Sequence, residues 1–187
     1  MTTSTSWHDA FEVVKRGHEY RDQPFKLASG QTSQHYIDGK HAVDTGARLA
    51  VVSRAVVDLA EQHGIEFGAV GGLTMGADAL AVGVAMLTGK AWFSVRKEPK
   101  SRGLEQFIEG FRLRDHPGTK VLLVEDVVST GGSVRKAYDK VVDAGAEVAG
   151  VIPMVDRGEV ASRQFADLNV PYVPLVTYRD LGIEPIK

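Results

Sequence analysis

The spacing of apolar residues changes period along the chain. Trp7, Ala10, Phe11 and Val14 recur at helical intervals and predict an amphipathic N-terminal helix that stops near Arg21–Pro24. Residues 24–40, PFKLASGQTSQHYIDGK, read as two short extended pieces around Ser-Gly-Gln-Thr-Ser, which is turn chemistry. A second helix opens at Asp44 or Thr45, turns Leu49, Val52, Val56 and Leu59 inward, and closes at Gly64. Beyond it, short apolar runs alternate with helical patterns. Strands are predicted over 67–72, 91–95, 120–125, 147–155 and 172–176, and helices over 77–87, 133–144 and about 160–168. Runs that are apolar at every position suit strands buried on both faces. The pattern therefore specifies an α/β fold with a mostly parallel central sheet flanked by helices. Between Arg96 and Gly118 lies a long charged stretch without clear periodicity, the mark of a lid or binding loop. No repeat, low-complexity tract or linker divides the 187 residues, so one domain is expected.

Composition narrows the classes. The chain is 43% apolar, enough to bury a proper core. It carries 22 basic and 24 acidic residues, a net charge of −2, which argues against a non-specific nucleic-acid binder. It has no cysteine, so disulfides and thiolate metal centres are excluded and a reducing compartment fits. The opening MTTSTSWHDA lacks the basic start and apolar run of a signal peptide, and no apolar run approaches the roughly 20 residues of a membrane span. A cytoplasmic protein without membrane or nucleic-acid partners is expected.

The densest chemistry is VLLVEDVVSTGGS, residues 121–133. An apolar strand runs into Glu125 and Asp126, and Ser129, Thr130, Gly131, Gly132 and Ser133 lead into a helix. Small residues let backbone N–H groups approach an anion, and a helix N-terminus adds partial positive charge. That is a monophosphate cradle. The two carboxylates repel a phosphate but suit hydroxyl groups a few ångströms away. A ribose 5-phosphate meets both demands. The plainer alternative is a buried strand, a solvated acidic turn and a glycine-bearing helix start. Neither the Walker A pattern nor a GxGxxG loop after a strand is present.

The same segment resembles the phosphoribosyl-diphosphate (PRPP) motif of type I phosphoribosyltransferases. FKLASGQTSQHYIDGK, VRKEPKSRGLEQFIEG and VIPMVDRGE resemble, in the right order, the other signature stretches of the orotate phosphoribosyltransferase family, over about residues 10–183. The resemblance implies the type I phosphoribosyltransferase fold: a small N-terminal hood, from about 1–44 plus C-terminal residues, on a core of about 45–180. It implies transfer of a phosphoribosyl group from PRPP to orotate, giving orotidine 5′-monophosphate and pyrophosphate. Mg²⁺ is the implied cofactor, held mainly by PRPP and without direct protein ligands. The implied PRPP-binding residues are Lys26, the lid cations Arg96, Lys97, Lys100 and Arg102, and Glu125, Asp126, Val127, Val128, Ser129, Thr130, Gly131, Gly132 and Ser133. Lys100, Asp126 and Glu125 carry the implied catalytic roles, and Ser129, Arg157, Tyr36 and Ile37 the implied orotate contacts; the plainer alternatives are core of the hood for Tyr36 and Ile37 and a surface ion pair with Asp156 or Glu159 for Arg157. Four cations within seven residues suit a multiply charged leaving group. In the family this loop, here 96–110, closes over the partner's site, which implies a homodimer.

Three positions depart from the pattern: Arg102 stands where some relatives carry histidine, Ala28 where many have lysine, and Met75 where some place another lysine. Lys26, two residues from Ala28 on the same strand face, is a substitute. Rival readings are a phosphoribosyltransferase for another nucleobase and a non-catalytic PRPP-binding regulator.

Overall fold

The computed structural model describes residues 5–26, 30–99 and 107–187. Helix α1 (Thr5–Lys15) buries Ala10 and Val14, with Trp7 stacked on Phe11. It stops earlier than its periodicity suggests. Gly17 follows at once, and its carbonyl accepts from the Asp38 N–H at 2.8 Å. A Cβ at Gly17 would lie 2.4 Å from that Asp38 carbonyl oxygen, so only glycine permits the approach. The chain then runs extended as β1 (His18–Lys26), antiparallel to β2 (Thr32–Ile37). The first extended piece thus opens six residues before the expected Pro24. Its start is fixed by pairing of His18 with Ile37, a long-range contact that local periodicity does not encode.

After the short α2 (Gly39–Ala42), the Thr45 hydroxyl caps α3 (Gly46–Gln62) by accepting from the Arg48 N–H. Gly64, at φ +63°, ends that turn as the sequence indicates. The rest alternates: β3 (Ala69–Gly71), α4 (Asp78–Thr88), β4 (Ala91–Val95), β5 (Ile108–Gly110), β6 (Lys120–Val128), α5 (Gly132–Asp143), β7 (Glu147–Asp156), α6 (Val160–Asp167) and β8 (Val176–Thr177). The six strands order as β5-β4-β3-β6-β7-β8, with β5 antiparallel to β4 and the others parallel. Side chains of β6 alternate between two cores. Leu122 and Val124 pack with Val52 and Val56 of α3 and Leu80 and Val84 of α4. Val121 and Leu123 pack with Ala137 and Val141 of α5 and Phe165 of α6.

Three expectations need correction. Strand β6 continues three residues past Glu125, because β7 keeps pairing with it as far as Val128 opposite Asp156. The run YVPLV is not a continuous strand. Tyr172 makes a single bridge to Val151 and the ladder resumes at Val176; Val173 and Leu175 donate to Val151 and Pro153, but Pro153 has no N–H to donate back. The charged stretch also contains β5, a three-residue edge strand too short to show a period.

Candidate active site

Chain order reverses between β3 and β6. From β3 the sheet extends one way to β4 and β5 and the other way to β6, β7 and β8. Such a switch point opens a crevice at the carboxyl ends of the two strands. A cleft of about 520 Å³ lies there, walled by Leu73–Gly76 after β3, by Glu125, Asp126 and Val127 of β6, by Ser133 at the start of α5, and by Arg96 and Lys97 after β4. The Thr74–Met75 peptide is cis, and Met75 is 71% exposed at the rim.

The two carboxylates differ in environment. Glu125 is only 4% exposed, and its Oε2 has no hydrogen-bond partner among the described residues. Burial pushes its carboxyl well above the usual carboxylate range, and the neighbouring Asp126 charge pushes the same way. Asp126 is more open. Its Oδ1 accepts from the Val127 N–H at 2.7 Å, and Lys40 Nζ lies 3.5 Å from its Oδ2. Both acids converge on Gly76: a Cβ there would lie 2.4 Å from Glu125 Oε1 and from Asp126 Oδ1. The backbone after β3 therefore lies directly against the acid pair.

The turn after β6 presents free amides. Among the described residues, the N–H groups of Ser129, Thr130 and Gly131 donate to no backbone carbonyl. Gly131 takes φ +85° as the first residue before α5, which has no side-chain cap. A Cβ there would meet Ala161 Cβ at 2.8 Å, so the turn needs glycine on both counts. The result is an uncapped helix N-terminus beside a concave run of donors, on the same strand that carries the acids.

Arg157 follows β7 and is 2% exposed. Its backbone N–H donates to the Val128 carbonyl at 2.8 Å, which sets it beside the turn at Ser129. Its guanidinium does not pair with Asp156 or Glu159. Nη1 donates to the His35 carbonyl at 2.6 Å and Nη2 to the Ser33 hydroxyl at 3.1 Å, while buried Nε has no partner among the described residues. Asp156 instead accepts from the Gly158 N–H at 3.0 Å, and Glu159 binds Tyr178 and Arg179. Tyr36 lies on β2 with the Arg21 guanidinium 4.5 Å above its ring and Phe25 at its edge. Ile37 is buried in the core with Ala10 and Val14. Lys26 ends β1, exposed, and is not among the described residues lining the cleft. Lys100, Arg102 and Ala28 lie outside the described residues.

The cleft thus brings together Arg96, Lys97, Glu125, Asp126, Val127 and Ser133, with Ser129–Gly132 adjoining. Sequence reasoning missed Lys40. It lies inside a stretch already singled out, but an exposed lysine on a short helix carries no local signal.

A family profile described as the phosphoribosyl transferase domain matches residues 43–170. An orotate phosphoribosyltransferase of Rhodopirellula baltica is 35% identical over 183 residues, covering 93% of this chain and 90% of its own. This chain belongs to the orotate phosphoribosyltransferase family. A second family member, from Pyrococcus furiosus, is 37% identical, covering 91% of this chain and 88% of its own. The crystal structure of the Mycobacterium tuberculosis orotate phosphoribosyltransferase in complex with PRPP superposes with a TM-score of 0.77 at 30% identity, covering 95% of this chain and 99% of the other. The type I phosphoribosyltransferase fold is therefore that of this chain, an enzyme of the transferase class.

Proposed function

We propose that this cleft transfers the 5-phosphoribosyl group of PRPP to orotate, forming orotidine 5′-monophosphate and pyrophosphate in the cytoplasmic synthesis of pyrimidine nucleotides. One observation carries the reading: Glu125 and Asp126 face a cleft that Ser133 also lines, and the turn leading to Ser133 carries the amides of Ser129, Thr130 and Gly131, which donate to no backbone carbonyl among the described residues. The 5′-phosphate sits on those amides and on the hydroxyls of Ser129, Thr130 and Ser133, at the N-terminus of α5. The ribose hydroxyls reach Glu125 and Asp126 on the same strand. Arg96 and Lys97 take the diphosphate, and Lys100 stabilises the charge that builds on it as the bond to the anomeric carbon breaks. Positive charge grows on the sugar at the same moment, and the acid pair faces it. No protein nucleophile is needed, and catalysis rests on positioning and charge.

Orotate is placed against Ser129 and Arg157, with Tyr36 on the hood side and Ile37 behind it in the core. The place of Arg157 next to Val128, beside the turn at Ser129, supports this. With Arg157 Nη1 and Nη2 engaged on β2, the ring's recognition includes the strand that Arg157 holds. Residues 1–44 with the C-terminal residues form the hood. Trp7 Nε1 bonds the Leu175 carbonyl at 2.7 Å and the Lys187 N–H bonds Gln31 Oε1 at 3.1 Å, which supports that grouping.

The donors of the cleft are carboxylate, hydroxyl and carbonyl oxygens with no thiolate in the chain, a set that fits Mg²⁺. When bound, Mg²⁺ neutralises diphosphate charge, with substrate oxygens and water as its ligands. The active form is a homodimer in which the 96–110 loop reaches the partner's cleft.

The test is turnover. Protein mixed with orotate, PRPP and Mg²⁺ is expected to deplete orotate absorbance and release pyrophosphate, and to leave uracil, guanine and adenine unchanged. No depletion across pH and Mg²⁺ concentration rejects the enzyme; tight PRPP binding without turnover points to a regulator.

A further inference from the structure

Resting on the reading above, we infer that Lys40 is a positioning residue for the reaction, holding the Asp126 carboxylate in place between two glycines. Helix α2 lies directly on β6 at Gly39. A Cβ at Gly39 would meet Asp126 Cβ at 2.9 Å, Met154 Cε at 3.0 Å and Val127 Cγ2 at 3.1 Å. Gly76 closes on the same carboxylate from the other side. Between them Asp126 has two fixed partners, the Val127 N–H on Oδ1 and Lys40 Nζ, 3.5 Å from Oδ2. The Lys40 side chain is 61% exposed and that of Asp126 18%.

An ion pair this open contributes little to folding. Its value is local. Two adjacent carboxylates resist sharing one site, and Glu125 is already buried beside Asp126. Lys40 is the cation of α2 facing that pair. Among the described residues, the other groups facing it are Tyr172 after β7 and, across the cleft, Arg96, Lys97 and Glu98. Lys40 also pulls the Glu125 carboxyl down, against burial and Asp126, which push it up. Without Lys40 the Glu125 carboxyl holds its proton to higher pH, and Asp126 swings from its aim at the ribose. An error of an ångström in such aim costs on the order of tenfold to a hundredfold in rate.

The experiment compares wild type, Lys40→Met and Lys40→Arg by kcat/KM for PRPP against pH, with thermal melting in parallel. Wild-type turnover tests the activity itself, so its absence counts against the proposed reaction and not against Lys40. In that event PRPP binding against pH, by calorimetry, is the readout. For Lys40→Met the expected result is a loss of on the order of tenfold or more at neutral pH, an acid limb displaced upward and an unchanged melting temperature. Lys40→Arg is expected to restore the limb. An unmoved acid limb in Lys40→Met, or a loss that tracks melting temperature alone, overturns the proposal.

Discussion

Glu125 shows how a site residue works against the fold that holds it. Its carboxyl is buried, has an oxygen with no partner among the described residues, and is pushed well above 4.5 by burial first and by Asp126 second. The unfolded chain ionises at the ordinary value. The folded chain therefore binds this proton more tightly, and stability declines as pH rises from about 4.5 through the folded value. Glu125→Gln keeps the shape and removes the charge. Its melting temperature is expected to exceed that of wild type at pH 8 and to approach it near pH 4.5. In a chain of this size each kcal/mol recovered is about 2–4 °C. Turnover is expected to fall on the order of a hundredfold. A variant that melts below wild type at pH 8 would sink this account, which thermal scans from pH 4.5 to 8 decide.

At the scale of elements, the β1–β2 ribbon is joined to the core through Arg157, whose guanidinium bonds the His35 carbonyl and the Ser33 hydroxyl. On the same ribbon His18 Nε2 and His35 Nδ1 are 2.9 Å apart, so one ring donates and the other accepts. A second proton there has no acceptor and faces Arg157. The His18 imidazole is accordingly pushed below 6.5, by burial first and then by the His35 and Arg157 charges. As pH falls below about 6.5 the unfolded chain takes up that proton before the folded one, so stability is lost on acidification until the folded ring also protonates. Relative to wild type, His18→Gln is expected to lose less stability between pH 7 and pH 5. Hydrogen exchange of β2 amides is the direct measurement, and an identical pH dependence in both proteins would reject the link.

At the scale of the whole molecule, the cleft is a consequence of strand order. Arg96 and Lys97 leave β4, the acid pair sits on β6, and β3 between them supplies the Leu73–Gly76 wall. Strands β4 and β5 pair at the sheet edge, and the proposed homodimer has the lid between them serve the partner's cleft. Mixing Lys100→Ala with Asp126→Asn tests the shared site. Each variant alone is expected to be nearly inactive. With free exchange half the chains enter mixed dimers, and half of those sites are intact, so about a quarter of wild-type activity is expected. No recovery after exchange, verified by mass spectrometry of differently tagged chains, would mean that each lid serves its own cleft.

The linear pattern determined the alternation of strands and helices, the span of β4, the bounds of α3 and the run of acid pair, small-residue turn and helix start over 125–133, because each depends on neighbours within a turn or two. Gly131 and Gly64 were legible for the same reason: a positive φ is a local demand. Tertiary structure alone decided the rest. The start of β1 and the extension of β6 to Val128 depend on partners far along the chain. Arg157 reads as an anion fork in sequence, yet two of its nitrogens are spent on a strand more than a hundred residues earlier. Lys40 meets Asp126 only because Gly39 and Gly76 allow two backbones to close on one carboxylate. Hydrogen-bond and charge partners are chosen by distance in space, and a sequence records distance only along itself.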